Sequence, residues 1–290
     1  MVLRLSMALC LGMAFLFSGC ADVERDHPYD PDNPNNIRGS IFNGNVNGNV
    51  YCQFSSSSSS VPVPSSSSVA LSSSSSFVSM PCGNTVTGVG TVACDGKTYN
   101  TVEIGDQVWM KENLDYDVPN NTTDVCYNNA PSNCTAYGRL YNWATAMALD
   151  PGCNSNNCAS QIQTPKHRGI CPSGWHIPND DDWSRLFDYV GGSSVAGKHL
   201  KAKTGWQDCG PSGSGRSYSC EDSHGFSALP GGNGRSNGSF SGVGYDGLWW
   251  SASENNSSYA YRRYMGYDGG SANMNYHFKT YLFSVRCLQD

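Results

Sequence analysis

The chain of 290 residues contains no apolar run long enough to cross a bilayer. Its best candidate, Met7 to Phe17, falls well short of the roughly 20 residues that a spanning helix requires. A basic cluster is also missing. Of 18 Lys and Arg and 24 Asp and Glu, residues 82–290 hold 15 and 19, so that region carries a net charge of −4. Contact along phosphates needs a positive track, and nucleic acid is not an expected partner. The six histidines, at positions 27, 167, 176, 199, 224 and 277, show no metal-ligand spacing such as i, i+4, and neither a metal nor a cofactor is expected. Glu221 and Asp222 beside His224 form the one compact acid/base cluster; its loop setting reads as solvated charge rather than a catalytic dyad. Gly234-Arg-Ser-Asn-Gly238 satisfies a hydrolase pattern, yet it lacks the apolar strand before and the helix after that would expose a nucleophile. No catalytic site survives, so the chain is not read as an enzyme.

What is present begins with an exported N-terminus. Arg4 precedes the apolar segment, and small Ser18 and Gly19 precede Cys20, the layout of a secretory signal over residues 1–19. Leu16-Phe17-Ser18-Gly19-Cys20 resembles the bacterial lipoprotein box, with Phe17 where leucine is usual. The resemblance implies that Cys20 carries lipid and fixes the chain to a membrane. Ala21-Asp22 lacks the aspartate directly after cysteine that retains such proteins at the inner membrane, so an outer-membrane, surface-exposed lipoprotein is expected. Residues 20–52 read as a hydrated acidic stalk, rich in Pro and Asn. Asp30 and Asp32 alternate as in a calcium loop, but the glycine and distal glutamate of such a loop are missing. Residues 53–81, with serine blocks 55–60, 65–68 and 72–76, cannot form a core and act as a flexible spacer. Residues 82–290 remain as a single domain.

Thirteen cysteines fit an oxidising compartment. Spacing suggests local bridges Cys82–Cys94, Cys126–Cys134, Cys153–Cys158 and Cys209–Cys220, leaving Cys171 and Cys287 to tie mid-domain to its end and Cys52 unmatched. Spacing alone does not determine connectivity, and Cys153-x4-Cys158 also falls within zinc-finger spacing.

Local patterns outline an α+β domain, rich in loops and stapled by disulfides. Lys97–Ile104 and Gln107–Lys111, around Gly105-Asp106, read as a hairpin. Residues 117–134 read as loop, and Leu140–Leu149 as a short helix. Asn179 followed by Asp180-Asp181-Asp182 signals a capped helix whose apolar stripe is Trp183, Leu186, Phe187 and Val190, ending at Gly191-Gly192. Three consecutive helical aspartates point about 100° apart, which argues against a metal cluster. Residues 229–247 read as a long Gly/Asn/Ser loop, and 248–253, 259–267 and 281–288 as strands.

Several segments resemble one bacterial family, the Fibrobacter succinogenes major paralogous domain: Asp95–Leu114, Tyr137–Ala144, Cys171–Pro178, Gly225–Gly232, Trp249–Glu254 and Phe283–Cys287, in family order. The resemblance implies an exported module, often on lipoproteins, without an established activity. Gly174–Trp183 and Phe283–Cys287 resemble more distantly the C-type-lectin-like domains and formylglycine-generating enzymes, which implies a fold with joined ends and long loops. The calcium-holding tripeptides of sugar-binding lectins are absent, and only Cys287 lies in the last 70 residues, against the reactive pair those enzymes need.

All seven tryptophans and 14 of the 16 tyrosines lie in residues 82–290. Aromatic faces suit sugar rings, and Asn, Asp and Gln suit their hydroxyls. The loop-borne ligand candidates are Trp206, Tyr218, Phe240, Tyr245 and Asp246, whereas Trp109, Trp143, Trp175, Trp183 and one of Trp249/Trp250 are expected to fill the core. The expected function is a non-catalytic binding module for polysaccharide or another extracellular polymer; the alternative is a structural envelope protein that binds a surface protein.

Overall fold

The computed structural model describes residues 90–121, 123–210 and 212–290. The signal segment, Cys20, the stalk, the serine linker, Cys52 and Cys82 lie outside the described residues.

The first strands, β1 (Thr91–Cys94), β2 (Lys97–Ile104) and β3 (Gln107–Met110), form an antiparallel meander, with the expected hairpin between β2 and β3. Strands β4 (Asp124–Val125) and β5 (Leu140–Tyr141) pair across a short helix, α1 (Pro131–Tyr137). The expected helix from Leu140 shrinks to a single turn, α2 (Trp143–Ala146), because Leu140 and Tyr141 are held in the β4 pairing. Asn142 caps that turn, accepting from Thr145 N–H at 2.8 Å.

Strand β6 (Trp175–His176) leads into α3 (Asp180–Tyr189), followed by α4 (Ser193–Leu200). The α3 start is a full capping box: Asn179 accepts from Asp182 N–H, and the Asp182 carboxylate accepts from Asn179 N–H, each at 3.0 Å. Asp180 pairs with Arg263 at 2.9 Å, and Asp181 is exposed, so the three aspartates diverge as the helical period requires. Asn179 also donates to the Pro165 carbonyl at 2.8 Å. Asn179→Ala is therefore expected to cost about 1–2 kcal/mol, read as a lower midpoint in chemical denaturation. Retention of the full wild-type midpoint would show that the cap is dispensable.

Two short parallel strands, β7 (Cys209–Gly210) and β8 (Tyr218–Ser219), close a loop. The segment read as a long loop, 229–247, contains a hairpin instead, β9 (Gly231–Gly234) with β10 (Phe240–Val243). A Cβ at Gly232 would lie 2.4 Å from the Ser241 carbonyl oxygen, so the close pairing relies on glycine. Strands β11 (Asp246–Glu254), β12 (Tyr259–Gly266) and β13 (Asn273–Phe278) form an antiparallel sheet. The last segment is less regular than the strand expected over 281–288. Leu282, Phe283 and Ser284 make isolated bridges to Gly234, Tyr141 and Trp249, and only β14 (Leu288–Gln289) joins a ladder. That ladder runs β1-β2-β3-β14-β6.

Strand β11 separates two cores. Leu248, Trp250 and Ala252 enter one with Trp143, Trp175 and Phe283; Trp249 enters the other with Trp109, Trp183 and Phe226. Neighbouring strand residues face opposite sides, which is why both Trp249 and Trp250 are buried where one had been expected. Cys126–Cys134, Cys153–Cys158, Cys171–Cys287 and Cys209–Cys220 are all bridged as the spacing suggested, which removes the zinc alternative at Cys153 and Cys158. Cys94 is also disulfide-bonded; Cys82, its expected partner, lies outside the described residues. The result is a mixed, disulfide-rich α+β domain.

Candidate functional site

The candidate ligand residues divide by burial. Trp206 is only 4% exposed, and its Nε1–H donates to the Ala228 carbonyl at 2.9 Å. The Lys201 ammonium lies 5.1 Å from the centre of its ring. This corrects its reading as a ligand residue, since both the face and the polar handle of the indole are engaged inside the domain. Phe240 is half-buried against Tyr127, 5.3 Å between ring centres, in a small cluster with Leu140 and Leu282. It packs the β9–β10 hairpin instead.

Tyr218 and Tyr245 are exposed, at 38% and 44%. They converge on a third ring, Tyr267, which the sequence reading had absorbed into a strand. Tyr245 and Tyr267 lie 5.1 Å apart at 86°, and Tyr218 and Tyr267 lie 6.4 Å apart at 75°. Tyr267, half-buried against the second core, is thus the shared ring of a three-ring group, with Tyr218 and Tyr245 each standing nearly upright to it. Such edge-to-face contacts are the favoured arrangement of aromatic quadrupoles.

Each ring comes from a different, anchored segment. Tyr218 sits on β8, closed by Cys209–Cys220, and its N–H donates to the Asp208 carbonyl at 3.3 Å. Tyr245 occupies the turn between β10 and β11. Its N–H donates to Gly242 O at 2.9 Å, and Gln207 N–H donates to Gly244 O at 2.7 Å. Tyr267 follows β12, and its N–H donates to the Tyr245 carbonyl at 2.8 Å, locking two of the segments together. Gly242, at φ +81°, is needed twice over: for its left-handed backbone, and because a Cβ would lie 2.5 Å from the Asp246 carboxylate.

Asp246 borders the rings and accepts from the Tyr264 hydroxyl at 3.1 Å. Burial first, and then the negative Asp246, push the Tyr264 phenol well above its ordinary range. It stays a neutral donor that orients Asp246. Asp268, next to Tyr267, is exposed. Neutral hydroxyls, carboxylates and aromatic faces can bind a hydroxylated ligand, but the group contains no nucleophile with a base to activate it.

Other chemical candidates are occupied structurally. Ser236, of the hydrolase-like pattern, is exposed between β9 and β10, at a hairpin tip rather than a strand-to-helix elbow. Glu221 accepts from Ser212 and pairs with Lys198 at 3.2 Å, and these contacts depress its pKa, the Ser212 hydrogen bond foremost. Asp222 receives the Ser227 N–H and hydroxyl, both at 2.7 Å, while the His224 ring packs against Tyr189 and His199. A cleft of about 340 Å³ beside β2 and α1 is lined by Lys97, Tyr99, Glu112 and Asp115 among others. There Asp115 is paired with Lys97 and Arg139, and Glu112 accepts from the backbone and side-chain amides of Asn100, both at 2.8 Å. Among the described residues, no three His, Cys, Asp or Glu side chains are placed to hold a metal, and no helix is long and apolar enough to cross a membrane.

No curated protein and no solved structure matches the chain. A family model described as the Fibrobacter succinogenes major domain matches residues 102–289, a span that takes in β3, most of the first core, the second core and all three tyrosines of the surface group. The chain belongs to the Fibrobacter succinogenes major domain family.

Proposed function

We propose that the chain is a surface-displayed outer-membrane lipoprotein whose folded domain is a non-catalytic binding module for polysaccharide or another extracellular polymer. Lipid on Cys20 anchors it, and the stalk and serine spacer carry the domain away from the membrane. The fold is read as C-type-lectin-like, supported by the Cys171–Cys287 tie of the end of the domain to its middle and by β14, which pairs with β3 near the beginning as well as with β6. The observation that carries the binding reading is the meeting of Tyr218, Tyr245 and Tyr267 at the surface beside Asp246. Rings that face water at a fixed geometry bind apolar sugar faces with little ordering cost.

The test is retention of the oxidised protein on insoluble cellulose, xylan and chitin, with calcium and with chelator. Tyr245→Ala is expected to weaken retention about tenfold, the effect of losing about 1.4 kcal/mol. Wild-type protein that binds no polymer in any condition sinks this reading.

A second reading, a structural envelope protein with a protein partner, is favoured by Tyr189 and Met274, whose side chains are 60% and 50% exposed. Its sign is a stable co-purifying partner together with indifference to glycans.

A further inference from the structure

Next to the tyrosine group lies a buried cation that, among the described residues, makes no direct ion pair. Lys201, directly after α4, is fully buried, and its Nζ donates to Gly266 O at 2.8 Å and Gly269 O at 2.6 Å. Those carbonyls bracket Tyr267 and Asp268. Among the described residues no carboxylate lies within ion-pair distance of this ammonium. Lys279, equally buried, has Glu254 for that purpose. An ammonium whose direct contacts are neutral dipoles and an indole face recovers part of its lost hydration, not all of it.

We propose that Lys201 is a proton-controlled latch of the ligand surface: its buried amine holds the Gly266–Gly269 turn that carries Tyr267, and the turn closes more tightly once that amine releases its proton to solvent. The proposal rests on the tyrosine group being the ligand surface and adds how that surface is regulated. A neutral amine keeps two hydrogens, one for each carbonyl, so deprotonation removes the buried charge without breaking the latch.

Burial sets the direction, against the nearby charges. Asp268, in the turn itself, favours the protonated form. On α4, Lys198 is engaged by Glu221 at 3.2 Å, and His199 faces Ser223 at 3.1 Å. The Trp206 side brings an indole that does not titrate. Burial outweighs Asp268 and lowers the Lys201 pKa from 10.5 to about 8. With the turn open the ammonium is hydrated and regains its ordinary value. Between those two values the open form binds more protons than the closed form, so closure strengthens as pH rises. Across the whole window the gain approaches roughly 300-fold, at about tenfold per unit.

The decisive measurement is protection of the Tyr267 amide from hydrogen exchange in the full oxidised chain between pH 7 and 9.5, corrected for intrinsic exchange. Wild-type protection is expected to be level below about pH 8 and to rise about 30-fold by pH 9.5. Lys201→Met is expected to abolish this pH dependence. Asp268→Asn, an exposed change, is expected to move its midpoint to lower pH. Flat wild-type protection, an unchanged rise in Lys201→Met, or an unmoved midpoint in Asp268→Asn would each overturn the latch. If Lys201→Met does not fold, Asp268→Asn alone decides. No ligand enters the measurement, so failure of the latch is distinguishable from failure of polymer retention.

Discussion

Replacement of Lys279 by methionine is expected to destabilise the domain by about 3–5 kcal/mol, the effect of breaking a buried ion pair from one side. For a domain of this size that corresponds to a fall of about 6–20 °C in Tm. The Lys279 ammonium lies inside a cage of oxygens: it pairs with Glu254 and donates to Cys153 O at 3.0 Å, Asn156 O at 3.1 Å and Ser257 O at 3.2 Å. The Trp143 ring lies 4.6 Å away on another side. Glu254 in turn receives the Cys158 N–H at 2.9 Å. One cation thus fastens the Cys153–Cys158 loop to the β11–β12 turn and to the first core. Methionine leaves Glu254 and three carbonyls facing an apolar chain. The double variant Lys279→Met with Glu254→Leu is expected to recover more than half of the loss, because the stranded charge is then gone. A single variant that loses less than 1 kcal/mol would show that disulfides and packing hold these loops without the ion pair.

The second large effect is expected from removal of Cys171–Cys287. The bridge spans 116 residues of sequence, and the chain-entropy estimate for a loop of that length is about 5 kcal/mol. Cys153–Cys158 spans 5, for which the same estimate is about 2 kcal/mol. Both Cys171 and Cys287 are fully buried in the first core, next to the segment that feeds β14 into the central position between β3 and β6. Paired replacement by serine therefore also buries two hydroxyls. Denaturant titration of the two double-serine variants under oxidising conditions is expected to place the Cys171/Cys287 variant well below the Cys153/Cys158 variant. The reverse order would mean that residual structure in the unfolded chain, rather than loop length, governs these bridges.

Much of this architecture was legible where the controlling interaction is local. The β2–β3 turn at Gly105-Asp106, the Asn179 capping box and the Gly191-Gly192 stop each depend on a few consecutive residues. The short-range cysteine pairs were legible for the same reason. Elements formed by contact with distant backbone were not. Helix α4 depends on Gly197 lying against Ser271, where a Cβ would approach the carbonyl oxygen to 2.2 Å. The β9–β10 hairpin has no apolar alternation to announce it, because glycines make its close contacts. The final segment alternates like a strand, yet its residues serve three different partners.

The candidate site divides in the same way. Tyrosines in glycine-rich loops could be read from the chain, and Tyr218, Tyr245 and Asp246 do lie together. Trp206 sits in an equally loop-like stretch but is buried over the latch lysine, and Tyr267 was hidden by its apparent strand. By itself, then, the sequence determined the family, the capped helix, the hairpins with turn signals and the cysteines close enough to pair, because short-range sterics and hydrogen bonds suffice for these. Only the tertiary structure decided which aromatic rings meet at the surface and which are consumed by the cores. Tyr218, Tyr245 and Tyr267 lie tens of residues apart in the chain, and their convergence depends on a disulfide, one shared backbone hydrogen bond and a buried lysine acting together.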